Sequence, residues 1–295
     1  MARQFRPMLS ATYDPEREID FPLIGSPKVD GIRVLIMPEV GPVTRSLKKV
    51  PNNYIFHTLN RSELFYLDGE IVSGPPAAKD VFNVTTSAVM TQTGRPEFLF
   101  LIFDIFSNPY YEYVKRLELA WRACLQAASP KIVNFLPYRQ LNSLTELNAY
   151  EEECVAAGYE GIMLRKPGSI YKYGRSTLKE GHLIKMKRWQ DEEATIIGFE
   201  ELMSNQNTLE TNALGLSERS SHKAGMVGKN TLGALKVRND KWGEFSIGSG
   251  LDESLRAVIW ESQDLFLNKT VTYKYLPHGS MEKPRFPIYK GFRHD

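Results

Sequence analysis

The sequence predicts an α+β protein with largely antiparallel sheets, followed by a small β-rich second domain. Three observations carry this. The first half holds apolar runs of strand length. Two segments between them show helical spacing instead, with no clean β-α-β repeat. Near residue 190 the composition changes and short strands take over.

The strand runs are Arg33–Met37, Leu64–Val72 and Phe98–Phe106. The last, "FLFLIFDIF", is almost continuously apolar and reads as a buried central strand, with Asp104 as its one acid. In Tyr111–Ala128, the residues Val114, Leu117, Trp121, Cys124, Leu125 and Ala128 fall on one helical face, the expected core side. A second helix opens at Ser143-Leu-Thr-Glu146, a capping box, and stops at Gly158. The strand "GIMLRKP" follows. After "DEEATIIGFEE", residues 204–229 are polar and rich in Gly, Ser, Asn and Thr, so they read as a long loop that is functional or disordered. Short strands, a helix opened by Asp252 and the strand "KTVTYKYL" then suit an OB-fold β-barrel. The expected domains are 1–189 and 190–295.

The 295 residues suffice for two modest cores. No apolar run reaches the ~20 residues a membrane helix needs, and Met1–Pro7 has no apolar leader segment. Two cysteines, Cys124 and Cys154, give neither a zinc cluster nor a disulfide framework; both read as core, and a reducing compartment is expected. The net charge of +2 is unevenly spread. Residues 161–190 carry eight Lys/Arg and the single acid Glu180, and residues 269–295 carry six against Glu282 and Asp295. Local basic segments on a nearly neutral chain point to an anionic ligand.

Five short motifs occur in order. "SPKVDGIR" sets Lys28, Asp30, Gly31 and Arg33 ahead of an apolar run. "YLDGEIV" places Glu70 at a strand head, "LIFDIF" joins Phe103 to Asp104, "YEGIMLRKP" sets Glu160 before a strand, and "HLIKMKRW" puts Lys185 and Lys187 on one face of another. Singly each has a plain structural reading: a hairpin turn, a core phenylalanine, charged strand edges. A lysine amine can instead attack the α-phosphorus of a nucleotide, provided it is neutral. At an ordinary pKa of about 10.4, neutrality at pH 7.4 costs roughly 4 kcal/mol. Lys185, Lys187 and a bound cation would lower that cost and neutralise the phosphate. Glu160, with Asp68 or Asp104, offers the oxygen ligands Mg²⁺ prefers.

Motif order and spacing resemble the covalent nucleotidyltransferases: ATP-dependent DNA ligases, RNA ligases and mRNA capping enzymes. The likeness spans almost the whole chain and is strongest to the minimal ATP-dependent DNA ligases of viruses, through "TTSAVMT" (Thr85–Thr91), "YKYGRSTLKEG" (Tyr171–Gly181), "SHKAG" (Ser221–Gly225) and "PRFPIYKGFRH" (Pro284–His294). The resemblance implies an adenylation domain and an OB domain that seal 5′-phosphate/3′-OH nicks in duplex DNA through lysyl-AMP and adenylated DNA. ATP and Mg²⁺, or Mn²⁺ in its place, would be the cofactors. Lys28 would be the nucleophile, and Lys185 and Lys187 would hold the α-phosphate. Arg33, Arg45 and Glu70 would contact ribose or phosphate, Phe103 would stack on adenine, and Ser26 and Asp30 would line the nucleotide site. Glu160 and Glu70 would serve the metal. Arg285 and Arg293, with Asp295, would help ATP enter the first step. Thr85, Thr86, Arg175 and Ser176 would meet DNA, as would Arg219 and Lys223 in a latch over about 202–230. Ser26 stands where many cellular ligases carry Glu, and Leu47 where the viral pattern has an aromatic residue.

A monomer encircling nicked DNA, intracellular and encoded by a virus or phage, is the expected form; no protein partner is legible. A capping enzyme would instead label with GTP, an RNA ligase would lack such an OB domain, and a non-catalytic DNA clamp would tolerate Lys28→Ala.

Overall fold

The computed structural model describes residues 5–127, 131–212 and 217–293. Expectations that fall on Met1–Gln4, Ala128, residues 213–216, His294 and Asp295 lie outside the described residues. The chain divides into two compact units, the first built on Met1–Lys187 and the second on Arg188–Glu210 and Ser217–Asp295. Among the described residues no helix is long and apolar enough to cross a membrane.

In chain order the first unit runs β1 (Ala11–Thr12), β2 (Leu23–Pro27), β3 (Ile32–Met37), β4 (Gly41–Thr44), α1 (Asn53–Leu59), β5 (Leu67–Val72), α2 (Val81–Met90), β6 (Leu99–Ile105), α3 (Tyr113–Gln126), β7 (Val133–Phe135), β8 (Arg139–Leu141), α4 (Leu144–Ala156), β9 (Ile162–Arg165) and β10 (Ile184–Met186). The strands form two five-stranded sheets, in the orders β1-β10-β9-β2-β8 and β4-β3-β5-β6-β7. Most pairs are antiparallel; β1–β10 and β6–β7 are parallel. The apolar β6 is an interior strand, between β5 and β7, and its Phe100 and Ile102 sit in the largest core cluster. Ser143 caps α4 through the Glu146 amide, and the Glu146 carboxylate reaches back to the Asn142 amide.

One plain alternative falls and one expectation about this unit is corrected. The Asp30-Gly31 pair does not turn a hairpin. It links β2 in one sheet to β3 in the other, so Lys28 sits where the chain crosses between sheets. Gly31 allows the crossing, because a Cβ there would lie 2.2 Å from the Ile71 carbonyl oxygen. Helix α3 is also rotated from the apolar face read in the sequence. Tyr113, Arg116, Leu117 and Ala120 face inward, whereas Trp121 is 50% and Leu125 65% exposed. The cause is electrostatic. Arg116, fully buried, donates to both oxygens of buried Asp104 (2.7 and 3.2 Å) and to the carbonyls of Tyr111 and Ser169. Satisfying that guanidinium sets the helix's rotation.

The second unit runs β11 (Gln190–Asn205), β12 (Leu209–Thr211), β13 (Ser217–Arg219), β14 (Met226–Asn239), β15 (Gly243–Ile247), α5 (Glu253–Glu261), α6 (Gln263–Phe266), β16 (Thr270–Leu276) and β17 (Arg285–Phe292). Five strands form one antiparallel sheet in the order β15-β14-β11-β16-β17, and a bridge from Ser249 to Ile288 brings the segment after β15 against β17. Asp252 caps α5 by accepting from the Leu255 amide. The core packs Ile196, Leu235, Val237, Ile247, Ile259, Val271 and Tyr273.

The polar stretch 204–229 is not an unstructured loop where it is described. β11 and β14 continue past the core as a hairpin whose register runs Met203–Gly228, Ser204–Val227 and Asn205–Met226, and β12 pairs with β13 beyond it. Side-chain amides replace apolar packing here. Asn205 and Asn207 both donate to the Ser220 carbonyl (2.9 and 2.7 Å), Asn207 also donates to the His222 carbonyl, and Arg219 donates to the Asn207 carbonyl.

Candidate active site

The two sheets of the first unit meet at a cleft that holds about 200 Å³ of water-accessible space beneath an open mouth. One wall comes from Ser26 and Pro27 of β2 with Met163 and Arg165 of β9. The other comes from Arg33 of β3, Glu70 of β5 and Phe103 of β6. Lys28 stands at the crossing between them and lines the cleft with Arg45.

Backbone pairing brings Lys28 to Glu160. The β2–β9 ladder pairs Pro27 with Ile162, and one rung further the Lys28 amide donates to the Gly161 carbonyl (2.8 Å) and the Glu160 amide to the Lys28 carbonyl (3.2 Å). The side chains then meet. The Lys28 ammonium donates to Glu160 Oε2, while Lys187 Nζ donates to Glu160 Oε1 at 2.9 Å. Gly161 permits this approach: it has φ +151°, and a Cβ there would sit 2.2 Å from the Met186 carbonyl oxygen.

The electrostatics follow from this geometry. Burial alone pulls the Lys28 ammonium down, but the Glu160 carboxylate outweighs it, Glu70 and Asp30 add to the pull, and Lys28 ends above its ordinary range. Burial pushes Glu160 up, yet Lys28 and Lys187 together hold it below the usual carboxylate range. The lysine is thus kept charged in the free protein, the reverse of the cation-lowered amine expected from sequence. Lys185, on the same face as Lys187, is lowered by burial and then by the charges of Lys187, Lys28 and Arg175. Burial raises Glu70 to about 7, against the opposing pull of Lys28 and Arg33.

Arg33 lines the cleft with most of its donors committed. Nε and Nη2 form a fork to the two oxygens of buried Asp68 (2.8 and 2.6 Å), and Nη1 donates to the Met8 carbonyl at 2.5 Å. Tyr171 donates to the same carboxylate at 2.7 Å. Asp68 and Asp104 are therefore fully engaged by arginines and do not serve as cation ligands, which corrects that expectation. Arg45 is exposed at the rim. Phe103 is partly buried, with the guanidinium carbons of Arg33 and Arg165 at 5.6 and 5.5 Å from its ring centre. Ser26 is buried in β2, opposite Met163. Asp30 is half-buried and adds its charge to the fields at Lys28 and Glu70.

The residues assigned to DNA divide. Thr85 is buried and its hydroxyl accepts from the Ser73 amide at 2.9 Å. Ser176 is buried and accepts from the Leu183 amide at 3.2 Å. Both hydroxyls bond to backbone amides inside the fold. Thr86 lines a neighbouring cleft with Gly31, Arg45, Ser46, Glu70 and Phe82, and its buried hydroxyl oxygen has no hydrogen-bond partner among the described residues. Arg175 is exposed and donates to the Ser10 carbonyl at 2.8 Å; Arg219 and Lys223 are exposed on the hairpin. In the second unit Arg285 stacks against Phe286 (5.2 Å), and Arg293 donates to Glu193 at 2.6 Å.

Sequence reasoning missed Met163 and Arg165 as wall residues, although their two-residue spacing after "EG" marks one strand face. It also missed Leu9, Ser10 and Leu183, which only the sheet packing brings to the cleft.

A lysine bridged to a carboxylate that also holds a second lysine, beside an aromatic wall in one cleft, suits a nucleotide-handling site. A comparison with family models matches residues 7–187 to the ATP dependent DNA ligase domain and residues 225–293 to the DNA ligase OB-like domain. A comparison with curated sequences found no significant match. Among solved structures, the chain is similar to the Chlorella virus DNA ligase-adenylate at 32% identity, covering 98% of this chain and 99% of that one with a TM-score of 0.56. A second structure of that viral ligase-adenylate matches at 33% identity, over 99% of both chains, with a TM-score of 0.54. A Lig E DNA ligase shares the fold at 22% identity, over 98% of this chain and 99% of that one, with a TM-score of 0.72. The chain belongs to the family of ATP-dependent DNA ligases, as an adenylation domain followed by an OB-like domain.

Proposed function

We propose that this enzyme seals 5′-phosphate/3′-OH nicks in duplex DNA with Lys28 as its nucleophile. The carrying observation is the placement of Lys28 at the sheet crossing, inside the cleft and against Glu160. The Lys28 amine attacks the α-phosphorus of ATP. A phosphorus–nitrogen bond forms, the bond to pyrophosphate breaks, and AMP is held on the enzyme. AMP then passes to the 5′-phosphate of the nick, and the 3′-OH displaces it to form the phosphodiester.

In this reading Phe103 stacks on the adenine and Ser26 lies beside it. Glu70 and Arg45 meet ribose and phosphate. Arg33, held by Asp68, shapes the wall and offers its remaining N–H. Lys185 and Lys187 take the α-phosphate, which draws Lys187 from Glu160 and frees Lys28 to lose its proton. Arg285 and Arg293 of the OB-like domain serve ATP entry. The domain boundary lies at about 189–190, and residues 202–230 form the latch that closes on DNA, with Arg219 and Lys223 on phosphates.

The donor set fits a Mg²⁺ ion shared with substrate. Among the described residues there is no cluster of three or more acidic, histidine or cysteine side chains that could cage a metal. Mg²⁺ bound through one or two carboxylates plus substrate phosphates needs no such cage. Glu160, with Glu70, would hold it or Mn²⁺, and the ion would supply neutralisation of the triphosphate. We place the enzyme inside a virus- or phage-infected cell, acting as a monomer around the duplex.

The test is sealing of a 5′-labelled nicked duplex with ATP and Mg²⁺, beside Lys28→Ala. A longer labelled strand with the native protein alone supports the reading. Equal sealing by Lys28→Ala removes Lys28 from its role. Labelling by GTP in place of ATP, with no sealing of DNA, overturns the reading altogether.

A further inference from the structure

The hairpin formed by β11 and β14 does not leave the OB-like sheet smoothly. At its base the register jumps from Glu201–Leu232 to Met203–Gly228, so Leu202 alone opposes Lys229, Asn230 and Thr231. A further single-residue slip, at Gly233, separates Glu201–Leu232 from Glu200–Ala234. Such bulges bend a strand and increase its twist. Asn230, at the centre of the larger one, has φ +50°. That left-handed conformation disfavours most side chains but is accessible to asparagine.

Side chains from two other elements fix this bend. The Glu201 carboxylate of β11 accepts from the Asn230 amide at 2.8 Å. It lies over Gly228, where a Cβ would come within 2.3 Å of Glu201 Oε1. From helix α5, Trp260 Nε1 donates to Asn230 Oδ1 at 3.2 Å. One turn earlier, Arg256 donates to the carbonyls of Leu232 and Gly233, each at 2.7 Å. Residues four apart share a helix face, so α5 holds the centre of the bulge and its Leu232 flank at once. Trp260 also packs on the OB-like core, which ties the bend to the rigid part of the domain.

The core does not need this arrangement. Glu201, Gly228, Lys229 and Asn230 are exposed and lie outside the packed core. What the bulge changes is the direction of the arm beyond it.

We infer that Glu201, Asn230 and Trp260 form an elbow that aims the hairpin, and that they are positioning residues for the grip on duplex DNA. The inference rests on the reading of this hairpin as the DNA latch. A correctly aimed arm meets the duplex without further ordering, so its fixed angle appears as affinity.

The experiment uses the full chain and measures the Kd for a nicked duplex, self-adenylation with ATP, and thermal stability. Trp260→Phe removes the indole donor but keeps a ring; Glu201→Ala removes the carboxylate. Each is expected to weaken nick binding by about fivefold to tenfold, the worth of one or two hydrogen bonds, with unchanged self-adenylation. In a protein whose residues 207–224 are replaced by a short Gly-Ser turn, Trp260→Phe should have no further effect on binding. Parent-like affinity of both Trp260→Phe and Glu201→Ala overturns the elbow while leaving the latch reading intact. A loss that persists in the hairpin-less background also overturns it, because the damage is then to the domain at large. Undiminished binding by the hairpin-less protein itself overturns the latch reading, and the elbow with it.

Discussion

Lys28 and Glu160 are partners through both backbone and side chain: their main chains form the rung beyond the β2–β9 ladder, and the ammonium donates to the carboxylate. Glu160 holds Lys187 with its other oxygen, 2.9 Å away. The free protein therefore holds Lys28 as a charged amine. Replacing Glu160 by Gln removes the main force that holds Lys28 above its ordinary pKa, leaving burial to pull it down. Competitive labelling with acetic anhydride between pH 7 and 10, read by mass spectrometry, should show Lys28 reacting at lower pH in Glu160→Gln than in the parent. Coincident profiles would mean the contact does not control the amine.

Glu70 gives a stability signature. Its carboxyl is raised to about 7, chiefly by burial. A carboxyl raised in the folded state favours the protonated native protein. Its contribution is complete below the ordinary glutamate range and is lost as pH rises through about 7. Urea melts at pH 5, 6, 7 and 8 should show the parent losing stability relative to Glu70→Gln across that window. A difference that does not change with pH contradicts the assignment.

Two buried arginine–aspartate pairs carry the walls of the cleft. Asp104 is fully buried against fully buried Arg116, and Asp68 is fully buried against Arg33. Removing one charge strands the other. Asp104→Asn and Asp68→Asn should each cost about 3–5 kcal/mol, read as a lower urea midpoint at unchanged slope. A double replacement, Asp104→Asn with Arg116→Met, should recover part of the loss.

Gly31 is set by space, not by backbone sign. A methyl group there meets the Ile71 carbonyl at 2.2 Å, with Glu70 Cγ and Val72 Cγ1 both at 2.9 Å. Gly31→Ala should destabilise by about 1–3 kcal/mol and reduce self-adenylation more than global stability predicts, since the displaced strand carries Glu70. Thermal melts and an ATP-labelling assay on the same preparation separate the two effects.

Nick binding should fall steeply with salt. Contacts from lysines and arginines to phosphates release counterions, and a protein making about 6–10 of them loses roughly 10³–10⁵ in affinity between 50 and 200 mM salt. A log–log plot of Kd against salt with a slope near zero would exclude a phosphate-tracking clamp.

Much of the site is legible along the chain. Lys28, Glu70, Phe103 and Arg33 do line one cleft: Arg33, Glu70 and Phe103 lie within β3, β5 and β6, and Lys28 follows the end of β2. The Ser143 capping box and the Asp252 cap are equally readable, since capping is a local hydrogen bond. The misreadings share a cause. Trp121 and Leu125 look inward by spacing but are exposed, because buried Arg116 has to reach Asp104 on β6. Thr85 and Ser176 bond to Ser73 and Leu183 amides that only the folded chain brings near. The polar stretch after residue 204 looks shapeless because its hairpin is held by asparagine amides and backbone, which leave no apolar period.

The sequence by itself determined the element types, the family and the chemical inventory: a lysine, its companion lysines, two glutamates and an aromatic residue in a fixed order. Periodicity and motif spacing are short-range properties, and they survive without a fold. The tertiary structure alone decided which charges meet. It gave Asp68 and Asp104 to arginines, set Lys28 against Glu160, left Arg45 at the rim, and bent the hairpin at Asn230. The physical reason is that ion pairing and desolvation depend on distances between residues far apart in the chain, here 132 positions for Lys28 and Glu160, and those distances exist only once the sheets have packed.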